Sequence, residues 1–484
     1  MLNLTKKSSL YLVVFFVLLF VAYNTYLISE EQYWGIAIPL VLGVVYLTIV
    51  RVDLVLTLVA FLTPLSTSLR ELGISNPLGV EMALPTEPLL FGLMLVAWVK
   101  MFSDRQLFKG LYSHPISIAI IVYLSWLFVS MLSSSFPLAS FKLLITRLWF
   151  ISSFYVLAFA WFQEEANIHR FIKAYLFGLF IVSVYTISIH ATNGFEHEAA
   201  HWVMSPFFKD HTSYGMALAL LLPFGFYVQK WDRNKKLSAL FTFVFLVLLV
   251  AIVLSYTRAA WLSLLAAIIV YIIIKLRIKF SLLFSGIVFL FGFIYFSQSE
   301  LVMMLEKNSQ DSSDSFTEHI SSMTNVTTDA SNLERINRWN AAIQLFKERP
   351  HLGWGAGTYQ FNYAPYQNYY DKTIISTNAG NMGNAHSEYL SMLAETGWPG
   401  LLIFLGMIAV VFIKAIYLYP KLKSPQERAL LMACILALTT YFTHAFLNNF
   451  LDMDKASVPI WAFVAIIVVL DKKHQKVLAN KKGA

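Results

Sequence analysis

His386 is the residue in this chain best placed to move a proton. It closes a long polar stretch and stands immediately before an apolar segment, in AGNMGNAHSEYLSMLAETGWPG at 379–400. An imidazole at such a boundary can exchange a proton near neutral pH, the property of a general base, or can serve only to cap the helix end or snorkel at the interface. Glu388 lies two residues on, off the same helical face, as a carboxylate that could orient a base or bind substrate. Arg258 sits in SYTRAAW at 255–261, at the tip of a turn short enough to hold it at membrane level. An arginine there needs an anionic partner. Its planar fork suits phosphate oxygens, whether of a diphosphate substrate or of lipid head groups. Arg335 and Arg338 are close to one helical turn apart and could converge on one anion, although Glu334 could pair with Arg338 at i+4 instead. Lys209, Asp210 and His211 stand at the mouth of a further apolar segment, in FFKDHTSYG. Tyr359 opens an aromatic run ending at Tyr370, which could stack on sugar rings or form an interfacial belt.

Other chemistries leave no trace in the sequence. Cys434 is the sole cysteine and lies within an apolar segment, so one chain can build neither a disulfide nor a thiolate metal site. No CxxC, HExxH, Walker A or GxGxxG stands in a fitting context. No paired acidic motif rivals the arginines, so neither metal nor cofactor is expected.

These residues must be positioned by membrane helices. Of 484 residues, 58% are hydrophobic and only 13% charged, with mean hydropathy +0.63. That composition specifies an all-α polytopic integral membrane protein. About 14 apolar segments (12–14 helices) are read, several able to span a core of about 30 Å. The first follows Lys6 and Lys7 without a small-residue cleavage site and reads as an uncleaved anchor. With the N-terminus in the cytoplasm, most of the 36 Lys and Arg fall on cytoplasmic ends and loops. By the positive-inside rule both termini are cytoplasmic, and His386, Arg258 and the loop arginines share the outer face. The net charge of +8 is therefore topological and implies no nucleic-acid partner. Three regions follow: membrane helices over 1–297, an extracytoplasmic loop over 298–385, and membrane helices with a basic tail over 386–484. Within the loop a helix is predicted over about 332–348. Ser331 and Glu334 are expected to form its capping box, Ile336, Trp339, Ile343 and Phe346 its apolar stripe, and Pro350 its stop. No internal repeat is visible, and few charges fall near segment centres, which disfavours a transporter.

Three stretches together resemble the O-antigen ligase and polymerase family of bacterial membrane glycosyltransferases. LSYTRAAWLSL at 254–264 is similar to the family's Ser-x-x-Arg-Gly/Ala-x-Trp turn. ERINRWNAAIQLFKERPHLGWGAGTYQF at 334–361 resembles its arginine-bearing loop helix and Gly-x-Gly-x-x-Tyr end. AHSEYLSMLAETGWPGLL at 385–402 is similar to its His-Asn/Ser-x-Tyr-Leu…Glu-x-Gly-x-x-Gly-Leu signature. Ser387 stands where Asn is common, and the segment count exceeds the usual twelve. The resemblance implies a GT-C-like fold in the inner (cytoplasmic) membrane with a site on the periplasmic face. It implies transfer of a glycan from a polyprenyl (undecaprenyl) diphosphate carrier to a hydroxyl of lipid A core or of another glycan, inverting and independent of metal. His386 and Arg258 would be catalytic. Arg335, Arg338, Lys209, Asp210, His211, Glu388 and Tyr359 would bind diphosphate or glycan. Protein O-glycosylation by the same fold, or transport of a lipid-linked oligosaccharide, are the alternatives.

Overall fold

The computed structural model describes residues 6–32, 35, 38–69, 71–73, 82–231, 234–278, 330–368 and 383–482. The apolar segment 280–297, the polar stretch 298–329, Tyr369 and Tyr370 lie outside them. The protein is all-α, as its composition predicts. Residues 1–55 and 56–484 form two compact units. The first holds α1 (Lys6–Ser29) and α2 (Ile38–Val50), and α3 (Val52–Leu62) begins at its end. The second continues with a two-residue antiparallel ladder that pairs Thr67 with Leu84 and Ser68 with Ala83. There follow α4 (Thr86–Ser103), α5 (Pro115–Leu132), α6 (Pro137–Ile151), a π-helical turn over Ser152–Leu157 and α7 (Ala158–Trp161). Then come α8 (Glu165–Thr192), α9 (His211–Trp231), α10 (Lys235–Leu254) and α11 (Arg258–Leu276). Beyond the undescribed stretch lie α12 (Ala330–Glu348), the short α13 (Tyr359–Asn362), α14 (Glu388–Leu418), α15 (Pro425–His444) and α16 (Asp454–Lys482).

Among the described residues seven helices are long and apolar enough to cross a membrane. They are Thr86–Ser103, Pro115–Leu132, Pro137–Trp161, Glu165–Thr192, Lys235–Leu254, Arg258–Leu276 and Glu388–Lys421. Their boundaries follow local chemistry. Proline at N1 of α5, α6 and α15 presets the first turn without wasting an amide. Asn234, Ser387 and Ser424 accept amides at the starts of α10, α14 and α15. Helix α16 is buried without a break from Asp454 to Leu470, as a helix apolar all round must be. Its start is tied down by a buried polar knot. Asp454 accepts the hydroxyls of Ser66 (2.6 Å) and Thr86 (2.5 Å), while Lys455 Nζ donates to Ser66 Oγ at 2.6 Å.

The loop helix forms where the sequence predicts it, but in a different register. It starts at Ala330, which puts Ser331 inside the helix rather than at its cap. The Glu334 carboxylate reaches forward to Arg338 Nε at 2.6 Å, so the capping box is replaced by an i+4 ion pair. The face packed on α14 is not the Ile336–Phe346 stripe. Asn337, Arg338, Ala341, Ala342 and Leu345 are buried, whereas Ile343 is 37% exposed. Two alanines let the helix axis approach closely enough for its ion pair to be covered, and that burial outweighs the larger aliphatic side chains on the outer side.

Candidate functional site

The segment Gly383–Ser387 delivers His386 into a pocket of charge. His386 adopts a left-handed backbone conformation (φ 46°), which costs a non-glycine residue about 1–3 kcal/mol and persists only where surroundings impose it. Three groups do so here. Its amide donates to Asn384 Oδ1 at 3.0 Å, and its carbonyl accepts Trp339 Nε1 of α12 at 3.3 Å. Ser387 then caps α14 through the Leu390 amide. A side chain at Gly383 would run into the Arg338 guanidinium, which itself donates to the Asn384 carbonyl at 3.3 Å. Helix α12 thus fixes the histidine from behind.

The imidazole is largely buried. Burial first, then Arg335, Arg338 and Lys209, hold its pKa down at about 3 against the pull of Asp210. It is therefore neutral at ordinary pH and able to accept a proton. Asp210 caps α9, accepting the Thr212 hydroxyl and the Ser213 amide, both at 2.7 Å. Burial opposes its ionisation, but those hydrogen bonds and the His211 charge outweigh it and keep the carboxyl below its usual range.

The ends of four long helices meet around this point. Thr257, preceding α11, donates its hydroxyl to the His211 carbonyl at 2.7 Å, binding the N-termini of α11 and α9 together. That hydroxyl does not cap its own helix, so the first turn of α11 at Arg258 has no side-chain cap. Gly215 permits the approach, since any Cβ there would strike Thr257. The Glu388 amide donates to the Ala445 carbonyl at 2.9 Å, joining the N-terminus of α14 to the C-terminus of α15. Helix α15 packs along both α9 and α11. Arg335 of α12 lies within electrostatic reach of His386, His211 and His444 together. Helix N-termini and guanidinium groups both favour an anion. Both kinds of group stand at this end of the bundle with a neutral imidazole.

The surrounding sequence decides the family. Residues 241–405 match the model described as O-antigen ligase. Residues 241–405 thus form a domain similar to the O-antigen ligase family. Together with the membrane-length helices, that match implies a bacterial membrane protein acting on a lipid-linked glycan and an acceptor. No curated protein matches the chain by sequence. The O-antigen ligase match contains Arg258, Arg335, Arg338, Tyr359, His386 and Glu388, and leaves Lys209, Asp210, His211 and His444 outside.

Within this O-antigen ligase domain, several residues singled out by the sequence are engaged inside the protein. Arg338 is buried, paired with Glu334 and laid over the Tyr363 ring at 4.2 Å. Tyr359 is buried, with its hydroxyl donating to the Arg338 carbonyl at 2.8 Å and its ring stacked on Tyr363 at 5.3 Å. Glu388 is engaged by other groups than His386. It accepts the Phe450 amide at 3.1 Å and lies 3.7 Å from Arg147, which in turn binds Asp452 at 2.5 Å. Lys209 is exposed, and Arg258 and Arg335 are half-buried. Among the described residues no group of three or more His, Cys, Asp or Glu is arranged as metal ligands.

Two residues escaped the sequence reading. Glu395 of the signature accepts the Gly357 and Tyr359 amides, each at 2.9 Å, and so clamps the GWGAGTY turn onto α14. A Cβ on Gly397 would meet the His351 carbonyl, and one on Gly353 would meet the Glu395 backbone. The Glu-x-Gly spacing is thus a docking device, visible in the sequence only as part of a motif. His444 ends α15, 1% exposed, beside Phe450 at 5.7 Å. It lies inside an apolar run and carries no spacing signal.

Proposed function

We propose that this protein transfers a glycan from a polyprenyl diphosphate carrier to an acceptor hydroxyl, inverting the anomeric centre and using no metal. The observation that carries the reading is a neutral, strained His386 set among Arg335, Arg338 and Asp210, with the uncapped start of α11, which carries Arg258, tied to the adjoining His211. His386 takes the proton of the acceptor hydroxyl as its oxygen attacks the anomeric carbon. The bond from that carbon to the phosphate oxygen breaks, and its electron pair leaves on the lipid diphosphate. Arg335 and Arg258 balance the growing charge, a contribution of about 3–4 kcal/mol for a well-placed donor where water is excluded. Arg338, paired with Glu334, contributes by holding the histidine segment. Lys209 and Asp210 border the same site. The site faces the periplasm, and the acceptor is lipid A core for a ligase or a second lipid-linked glycan for a polymerase.

The test is transfer by purified protein in detergent from a polyprenyl-diphosphate oligosaccharide, with and without EDTA, alone and with lipid A core. Transfer should survive EDTA and fall at least about a hundredfold in His386→Ala and Arg335→Ala, the range for loss of a proton-transfer group or an oxyanion donor. Near-normal transfer by His386→Ala would remove the assigned base. Abolition by EDTA would replace the arginine mechanism with a metal-assisted one.

A further inference from the structure

His444 has properties that a residue of the packed interior should not combine. It is 1% exposed, and neither ring nitrogen has a hydrogen-bond partner among the described residues. A buried donor or acceptor left unmade costs about 1–3 kcal/mol. Phenylalanine or leucine would fill the place against Phe450 without that cost. The position is also not incidental. His444 is the last residue of α15, one residue before the carbonyl that receives the Glu388 amide. Helix α15 lies against α9 and α11, whose first turns carry His211 and Arg258. The charged groups that reach His444 are Arg335 and Asp210, two of those that surround His386. The imidazole therefore stands at the inner end of the charged pocket, one nitrogen able to donate and the other to accept.

We propose that His444 is a second substrate-contacting imidazole, whose N–H donates a hydrogen bond to a phosphate oxygen of the lipid diphosphate. The inference rests on the glycan-transfer reading above and adds a specific contact to it. As a neutral donor beside Arg335, His444 would give direction to an anion that the guanidinium attracts by charge. No proton is transferred at this residue, since the one released by the acceptor goes to His386.

The experiment compares wild type with His444→Phe and His444→Gln for three quantities. These are thermal unfolding, equilibrium binding of polyprenyl diphosphate against polyprenyl monophosphate, and transfer. His444→Phe should unfold no lower than wild type, because it removes unmet polar atoms, yet bind the diphosphate at least about tenfold more weakly, the worth of a hydrogen bond to a charged group. His444→Gln, which keeps an N–H donor, should recover part of that binding. The monophosphate should discriminate less between wild type and His444→Phe. If His444→Phe binds and transfers as wild type does, the inference is overturned and the transfer reading stands. If His444→Phe instead loses stability with diphosphate binding intact, the imidazole is a packing residue and the inference is again overturned. If wild type itself neither binds the diphosphate nor transfers glycan, the transfer reading fails with it.

Discussion

The base proposed at His386 must be unprotonated before substrate arrives, and its surroundings secure that in advance. With its pKa held at about 3 by burial and by Arg335 and Arg338, the imidazole is free to accept a proton across the physiological range. Such a weak base abstracts poorly, but a bound diphosphate would cancel the arginine charges that depress it. The basicity should therefore rise when the donor binds. The acid limb of kcat/KM, which reports the free enzyme, should fall well below pH 6.5, and that of kcat should lie at higher pH. Coincident limbs near pH 6.5 would contradict this coupling. The same shift has a consequence for stability. Between about pH 6.5 and 3 the unfolded chain binds a proton at His386 that the folded chain refuses, so stability falls as pH falls through this window. Thermal unfolding of His386→Gln followed from pH 7 to 4 should show a shallower loss than wild type. An unchanged slope would mean that the residue is not held neutral.

The histidine is only as well placed as the elements that carry it, and these show what the sequence could and could not disclose. His386 and Arg258 stood out because each breaks an apolar background at a segment end, and Arg335 because Arg338 repeats it close to one helical turn on. Arg338 and Tyr359 stood out by residue type and spacing, but these do not reveal which face of α12 is covered. Here the covered face is the one with Ala341 and Ala342, and Arg338 goes under it with Glu334. His444 was silent because one polar residue within the 427–448 run has no periodicity to betray it. Glu395 was visible only as a letter in a motif, and its partners are amides nearly forty residues earlier in the chain. Replacing it with alanine strips the acceptor from the Gly357 and Tyr359 amides, at about 1–3 kcal/mol for each unmet group. Because the clamp holds the GWGAGTY turn and, through Tyr359, the Arg338 backbone, Glu395→Ala should raise hydrogen exchange over 353–363 and slow transfer together. Faster exchange with undiminished transfer would show that docking of the turn does not position His386.

At the scale of the molecule, the end of the bundle that holds the site is held by buried charge rather than by apolar packing alone. Arg147, 2% exposed in the middle of α6, binds the Leu451 carbonyl and Asp452, and lies against Glu388 at the start of α14. One guanidinium thus gathers α6, the 445–452 connection and the helix that begins two residues after His386. Pairs of this kind add little net stability when formed, yet removing one partner strands the other and costs about 3–5 kcal/mol. Arg147→Met leaves Glu388 and Asp452 facing each other without their cation. It should therefore lower the unfolding temperature sharply, more than any single substitution at Lys209 on the exposed rim. Adding Glu388→Gln to Arg147→Met removes one of the two facing carboxyls while keeping an acceptor for the Phe450 amide. The double variant should regain part of the lost stability, and with it part of the transfer activity, since the proposed catalytic groups are untouched. If the double variant unfolds lower than Arg147→Met, Glu388 has an independent task, and its carboxylate returns as a candidate for substrate contact.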